Sequence, residues 1–131
     1  MTALALRARI ARHHEHARAT RDLDEELGTL HGIGWAEFVL LDAIESAAGN
    51  AAAADVAHRL GLSSSRLLLQ VLPLEKLGLV RRGMRPDGKR SIELRAAGQR
   101  LLTETRETAA AMCLPPSAED VRTREGATPQ R

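Results

Sequence analysis

A stripe of mostly apolar residues runs through the N-terminal quarter of the chain at three- and four-residue steps. It comprises Leu6, Ile10, His13, Ala17, Thr20, Leu23, Leu27 and Leu30. That period fits one face of an α-helix and predicts a single helix over residues 4–30. One small domain cannot cover a stripe of that length, so this helix needs a partner surface. The expectation is a homodimer with the helix in its interface.

The rest of the chain must supply the lobe. With 131 residues it has the length of one domain, long enough for a core without disulfide staples. Apolar residues make up 44% and charged residues 27%, as in ordinary globular chains. The aromatic count is unusual, with one Trp, one Phe and no Tyr. A β-sandwich or barrel draws on aromatic and β-branched residues, whereas Ala and Leu favour helix. The same count excludes a nucleic-acid platform built on stacked aromatics.

Glycines punctuate the chain beyond the stripe. Gly32 and Gly34 end the first helix, and a second is expected from about Trp35 to Ala48 with Phe38, Leu41 and Ile44 inward, closed by Gly49-Asn50. A short helix over Ala53 to Leu60 ends at Gly61, and Ser63 is a good N-cap for a fourth over Ser64 to Leu77. Two short helices joined by a glycine-containing turn make a helix-turn-helix unit. Pro73 lies inside the fourth helix and is expected to kink it. Leu79 to Met84 and Arg90 to Leu94 read as strands around Arg85-Pro86-Asp87-Gly88, which suits a type I turn. A final helix is expected over Ala97 to Cys113, stopped by Pro115-Pro116, and polar residues 115–131 are expected to be disordered. The fold class is therefore mainly α with a small β-hairpin: a winged helix-turn-helix at 53–95, flanked by dimerisation helices at 4–30 and 97–113, in one domain spanning 1–114.

Charge is unevenly spread. Residues 1–55 carry 5 basic and 9 acidic side chains, residues 56–100 carry 10 and 3, and residues 101–131 carry 4 and 5. The middle third is a +7 module between two mildly acidic flanks. Such clustering is the footprint of a phosphate-backbone binder, although a solvated face has the same composition.

The stretch 'DVAHRLGLSSSRLLLQVLPLEKLGLVRR' resembles the MarR family of winged-helix transcriptional regulators. 'PLEKLGLVRR' is its most specific piece and 'LGLSSS' supports it; with 'GIGWAEFVLLDAI' the resemblance covers about residues 20–110. It implies a homodimer whose first and last helices form the body, with two winged helices in adjacent major grooves of a palindromic operator. It also implies, for many members, a small effector held where the body meets the DNA-binding lobe. The chain departs from the family pattern at Leu68 and Leu69, where Thr and Arg are usual in the recognition helix. The wing tip is Asp87-Gly88-Lys89 followed by Arg90 instead of Asp-x-Arg, Arg95 replaces the Thr that caps the last helix, and the region after 115 is more polar than the family's final dimerisation helix.

On a helical wheel Leu67, Val71 and Leu74 face the core, while Ser65, Leu69, Leu72 and Lys76 face away. Arg66 can reach guanine and Gln70 can reach adenine from one flank. Ser63, Ser64 and Ser65 at the helix N-terminus suit a phosphate, or serve only as caps. Arg85, Lys89 and Arg90 surround the wing turn, where basic side chains grip phosphate or enter the minor groove, or else keep a sheet edge from aggregating. Leu68, Leu69 and Leu72 read no base except through a thymine methyl, and three outward leucines also make a protein-binding patch. All three are expected to be exposed.

'HHEH' at 13–16 offers too few further ligands for zinc, so neither a metal nor a cofactor is expected. His14, His31 and Trp35 are candidates for lining an effector pocket. Cys113 sits at a helix C-terminus, which disfavours a thiolate. No Ser-His-Asp spacing, Gly-rich phosphate loop or metalloprotease helix appears, and nothing nominates a nucleophile or general base. No apolar run reaches ~18 residues, so no membrane span is expected. The N-terminus does not read as a secretory signal, and a single cysteine fits the cytoplasm. Two functions stay open: a regulator binding double-stranded DNA as a homodimer, with or without a small-molecule effector, and a protein of the same fold that has lost operator reading and works as a ligand- or protein-binding accessory or a repurposed catalyst.

Overall fold

The computed structural model describes residues 2–113; the disorder expected for 115–131 lies outside them. In order, the elements are α1 (Ala3–His31), α2 (Trp35–Ser46), β1 (Asn50–Ala52), α3 (Ala53–Leu60), α4 (Ser64–Lys76), β2 (Val80–Met84), β3 (Arg90–Leu94) and α5 (Ala96–Cys113). The architecture matches the expected winged helix-turn-helix, with one addition. The sheet has three antiparallel strands in the order β1-β3-β2, and β1 was not expected. Asn50, Ala51 and Ala52 have little strand preference of their own. Ala48 (φ 60°) and Gly49 (φ 80°) turn the chain back after α2, and the Leu94 amide donates to the Gly49 carbonyl at 2.7 Å. β1 exists because β3 offers it an open edge, with Ala51 opposite Ile92.

The core lies where α2 meets the helix-turn-helix and the sheet. Leu27, Leu40, Leu41, Ile44 and Leu102 are fully buried, and Val71, Leu74, Val80 and Ile92 nearly so. The inward positions expected for α2 (Phe38, Leu41 and Ile44) are all buried. Gly61, at φ 67°, makes the sharp turn between α3 and α4, a conformation that side chains with a Cβ avoid. α4 runs through Pro73 as one element.

α1 and α2 meet at 80°. Gly34 has no side chain to cap α2, and α1 supplies the cap instead: Asp24 Oδ1 accepts from the Trp35 amide at 2.9 Å. A carboxylate there also complements the positive end of the α2 dipole. At the other end of α2, Arg106 on α5 donates to Asp42 (3.1 Å) and Glu45 (2.9 Å), and Gln99 donates to Glu45 at 2.6 Å. The Gln99 and Arg106 hydrogen bonds hold the Glu45 carboxyl below the usual glutamate range. Among the described residues no single helix is long and apolar enough to cross a membrane; α1 and α2 would reach that length together, but across their bend.

The α1 stripe is satisfied only at its C-terminal end. Leu27 is buried and Thr20 and Leu23 are half-buried, whereas Leu6, Ile10, His13, Ala17 and Leu30 are exposed. The lobe packs against less than half of the helix, and the rest has no cover from its own chain.

Gly98, in the first turn of α5, is buried against the end of the β2 approach. A Cβ there would collide with the Leu79 carbonyl oxygen and sit against the Leu94 side chain at 2.8 Å. That carbonyl accepts from the Arg95 amide at 2.9 Å and cannot easily move. Gly98→Ala is therefore expected to destabilise the fold by ~1–3 kcal/mol, read as a lower urea midpoint with an unchanged slope.

Candidate nucleic-acid interface

α4 begins with a built cap. Ser63 Oγ accepts from the Arg66 amide at 3.2 Å, which satisfies one of the first-turn donors. Ser63 is thus occupied in capping. Ser64 and Ser65 stand exposed beside it. Leu67, Val71 and Leu74 are buried, as the wheel requires, and Arg66 and Leu69 are exposed. Gln70 is half-buried on the flank. Leu72 departs from expectation: it is half-buried, not exposed. On the wheel it lies on the Glu75 side, ~130° from the centre of the core face.

A tie joins the helix to the wing on that side. Glu75 accepts from the backbone amide of Arg82 at 3.0 Å and from its guanidinium at 3.1–3.2 Å. One carboxylate thereby fixes both a strand and its side chain to α4. The Arg82 guanidinium, and after it the Arg82 amide, holds the Glu75 carboxyl below the usual range. On the outer side of the hairpin Arg81 faces Glu93 in register and bonds it at 2.6 Å.

The wing turn closes as expected, with the Gly88 amide donating to the Arg85 carbonyl at 2.9 Å and the Arg85 amide to the Lys89 carbonyl at 2.8 Å. Asp87 accepts from the Lys89 amide at 3.0 Å and pairs with Arg85 at 3.6 Å. Arg85 is accordingly half-buried and engaged. The cations of the +7 module therefore divide into two sets. Arg81, Arg82 and Arg85 are neutralised within the lobe. The other seven, Arg59, Arg66, Lys76, Lys89, Arg90, Arg95 and Arg100, are exposed and make no ion pair among the described residues.

Between α4 and the wing runs an open cleft of about 1030 Å³. Ser64, Ser65 and Leu68 line one wall, Lys89 and Arg90 the other, and Asp55 of α3 lies at its end. Ser64, Ser65, Lys89 and Arg90 are thus brought together on one cleft, whereas Ser63, Arg66, Gln70 and Arg85 do not line it.

The three effector candidates are not brought together within one chain. His14 is exposed on the uncovered part of α1, and its 17-residue separation from His31 is ~25 Å of helix. His31 Nε2 lies 2.7 Å from Thr108 Oγ1, joining α1 to α5. Trp35 is half-buried, stacks at a tilt on Phe38 with ring centroids 5.5 Å apart, and lines a shallow groove of about 370 Å³ with Val39, Arg106 and Cys113.

No family model and no curated protein matches the sequence. Solved structures do match. A transcriptional regulator of the MarR family from Rhodococcus sp. RHA1 superposes with a TM-score of 0.76 at 20% identity, over 96% of this chain and 92% of that one. The fold is that of the MarR-type regulators. Reduced AbfR bound to DNA shares the MarR-type fold at TM-score 0.74 and 21% identity, over 94% of this chain and 88% of its own. The organohalide-sensing regulator RdhR, in its 2,4-dichlorophenol-bound form, does so at 0.74 and 16% identity, over 98% and 79%.

Sequence reasoning missed the Glu75–Arg82 tie. The Arg81–Glu93 pair was within reach, because hairpin register alone puts those residues opposite one another. The tie links a helix to a strand, and no sequence period encodes that distance.

Because the folded pKa values of Glu75 and Glu45 are lowered, their contribution to stability is complete above the ordinary glutamate pKa of ~4.3 and is lost as pH falls through the lowered folded values. The urea midpoint is expected to hold from pH 7 to about 5 and to decline below ~4.3. Glu75→Gln should make that decline shallower.

Proposed function

We propose that this chain is a DNA-binding transcriptional regulator that acts as a homodimer on a pseudo-palindromic operator, with half-sites about one helical turn, ~10 base pairs, apart. The observation that carries the reading is the division of the cations. Internal ion pairs engage Arg81 and Arg82 on β2 and Arg85 in the wing turn, yet leave Arg66 on α4 and Lys89 and Arg90 on the wing unpaired and exposed. Unpaired cations on two protruding elements of one face suit the phosphates on either side of a groove. The DNA-bound form of AbfR, which has the same fold, supports this assignment.

In this reading residues 1–114 form one working domain, in which 53–95 meet the DNA. Helices 4–30 and 97–113 make the dimer body, and the uncovered apolar positions of α1 support that role: Leu4, Leu6, Ile10 and Leu30 are 79%, 48%, 45% and 57% exposed in the single chain. Ser64 and Ser65 meet phosphate at the α4 N-terminus, Ser63 holds that turn in shape, and Gln70 contacts a base from the flank. Arg85 shapes the wing turn. The dichlorophenol-bound form of RdhR supports a small-molecule effector. Within one chain the candidates for its site are Trp35 and His31, on either side of the turn between α1 and α2, and His14 would join them only from the second copy. The place of action is the cytoplasm.

One observation favours a different reading: Leu68 and Leu69 present hydrocarbon where a DNA-reading helix usually presents donors and acceptors. A protein of this fold that had drifted from operator reading toward accessory work would show the same surface. Salt-dependent binding separates the two. The regulator should bind duplex DNA at low salt, and absence of any binding there would end that reading.

Light scattering at micromolar concentration is expected to give the mass of a dimer, and a monomer would remove the palindromic geometry. Arg66→Ala is expected to cost ~1–3 kcal/mol on a selected operator and to relax sequence preference. Lys89→Ala should weaken all duplexes alike and lower the salt slope by about one. Equal losses on operator and random DNA for Arg66→Ala would reduce Arg66 to a phosphate clamp. Competition between both duplexes and a titration of about 50–300 mM salt would measure these effects.

A further inference from the structure

Resting on the DNA-binding reading above, we propose that Leu68 and Leu69 determine specificity by packing against the C5-methyl groups of thymines, so that the operator half-sites carry thymine opposite the N-terminal half of α4.

The placement of these leucines is the first argument. Leu69 is 70% exposed and Leu68 39% exposed, although the lobe has a well-filled core next to them. On the α4 wheel Leu69 points ~160° away from the centre of Leu67, Val71 and Leu74. It stands one turn after Ser65 and on the turn that follows Arg66, so it shares the outward face of the helix with both. The N-terminal part of a recognition helix is the part that meets base edges. Leu68 lies on the flank that turns toward the wing and lines the cleft with Lys89 and Arg90.

Charge identifies the occupant. Arg66 and Lys76 share α4 with the two leucines, Lys89 and Arg90 line the cleft with Leu68, and none of the four is neutralised among the described residues. The carboxylates close by are mostly committed: Glu75 to Arg82, and Asp87 to Arg85 and the Lys89 amide. Asp55 at the end of the cleft is the exception. A small hydrocarbon patch framed by free cations complements a polyanion that carries isolated methyl groups. A DNA major groove offers phosphates on both rims and, on its floor, the thymine methyl as its one hydrocarbon feature. An apolar protein partner would not call for the cationic frame.

Chemistry sets what the leucines can distinguish. A leucine side chain has neither donor nor acceptor, so it cannot separate guanine from adenine by hydrogen bonding. It gains by removing a methyl from water, and it meets the exposed amino groups of adenine or cytosine at a loss. Cytosine and uracil lack the methyl. The polar contacts of Arg66 and Gln70 and the apolar contacts of Leu68 and Leu69 are thus complementary readings of one half-site.

The test uses the full chain and duplexes enriched by it from a randomised library of about 30 base pairs, enough for two half-sites one turn apart. Each enriched duplex is remade with deoxyuridine in place of every thymidine, which removes only the methyl groups. The wild type is expected to bind the uracil duplex roughly fourfold more weakly for each methyl contacted, with an unchanged salt slope. Leu69→Ala should bind thymine and uracil duplexes with a smaller difference, and Leu68→Ala/Leu69→Ala with none. Because both residues are exposed, these variants should keep the wild-type urea midpoint. Equal wild-type affinity for the two duplexes would overturn the proposal while leaving DNA binding intact, and would return the patch to a protein contact. Absence of binding to any duplex at about 50 mM salt would overturn it together with the functional reading on which it rests.

Discussion

The burial of one helix on nearly all sides organises this molecule. α2 packs against α1, α3, α5, β1 and β3, and Leu40, Leu41 and Ile44 are lost entirely from solvent. At ~1.5–3 kcal/mol for each fully buried aliphatic side chain, these three alone are comparable with the net stability of a small domain. Everything that projects from the lobe takes its position from this helix. The Asp24 cap sets the angle at which α1 leaves, and the Arg106 cluster with Asp42 and Glu45 pins α5 along the other side. The turn at Ala48 and Gly49 delivers β1 to the edge of the wing.

On that frame, electrostatics sort the basic residues by task. A charge count over residues 56–100 gives a single +7 module, but the folded lobe spends part of it on itself. Arg82 is tied to Glu75, and this joins the wing to α4. Arg81 closes the hairpin on Glu93, and Arg85 shapes the turn with Asp87. Such exposed pairs contribute little to stability individually. Their value here is geometric: one holds β2 beside α4, and the other two shape the hairpin itself. Arg66, Lys89 and Arg90 are among the cations that remain exposed and unpaired. Leu68 and Leu69 are exposed on the same helix as Arg66, so this part of the surface carries hydrocarbon as well as charge.

The uncovered length of α1 imposes a second constraint. Leu4, Leu6 and Ile10 lie outside the reach of the lobe, so the helix is longer than its own chain covers. A long amphipathic helix with a half-filled stripe suits a symmetric partner, since the same surface can serve both copies.

Local signals in the sequence determined most of the elements. The periods of α1, α2 and α4, the Ser63 cap, the glycine after α3 and the Pro-Asp-Gly wing turn all lie within a few residues of what they control, so each was legible before any tertiary contact was known. The core face of α4 was legible for the same reason: three buried residues at helical spacing need no knowledge of what buries them. Only the tertiary structure decided β1, whose three residues become a strand because β3 has an open edge, and the half-burial of Leu72, which lies outside the core face of its own helix. It also decided which arginines are free. Like charges are indistinguishable in a sequence count, and the distance that pairs Glu75 with Arg82 exists only once helix and hairpin have packed. The distance that keeps His14 from His31 is the opposite case: it is fixed by helical rise alone, and a helix of 29 residues separates its ends whatever else folds around it.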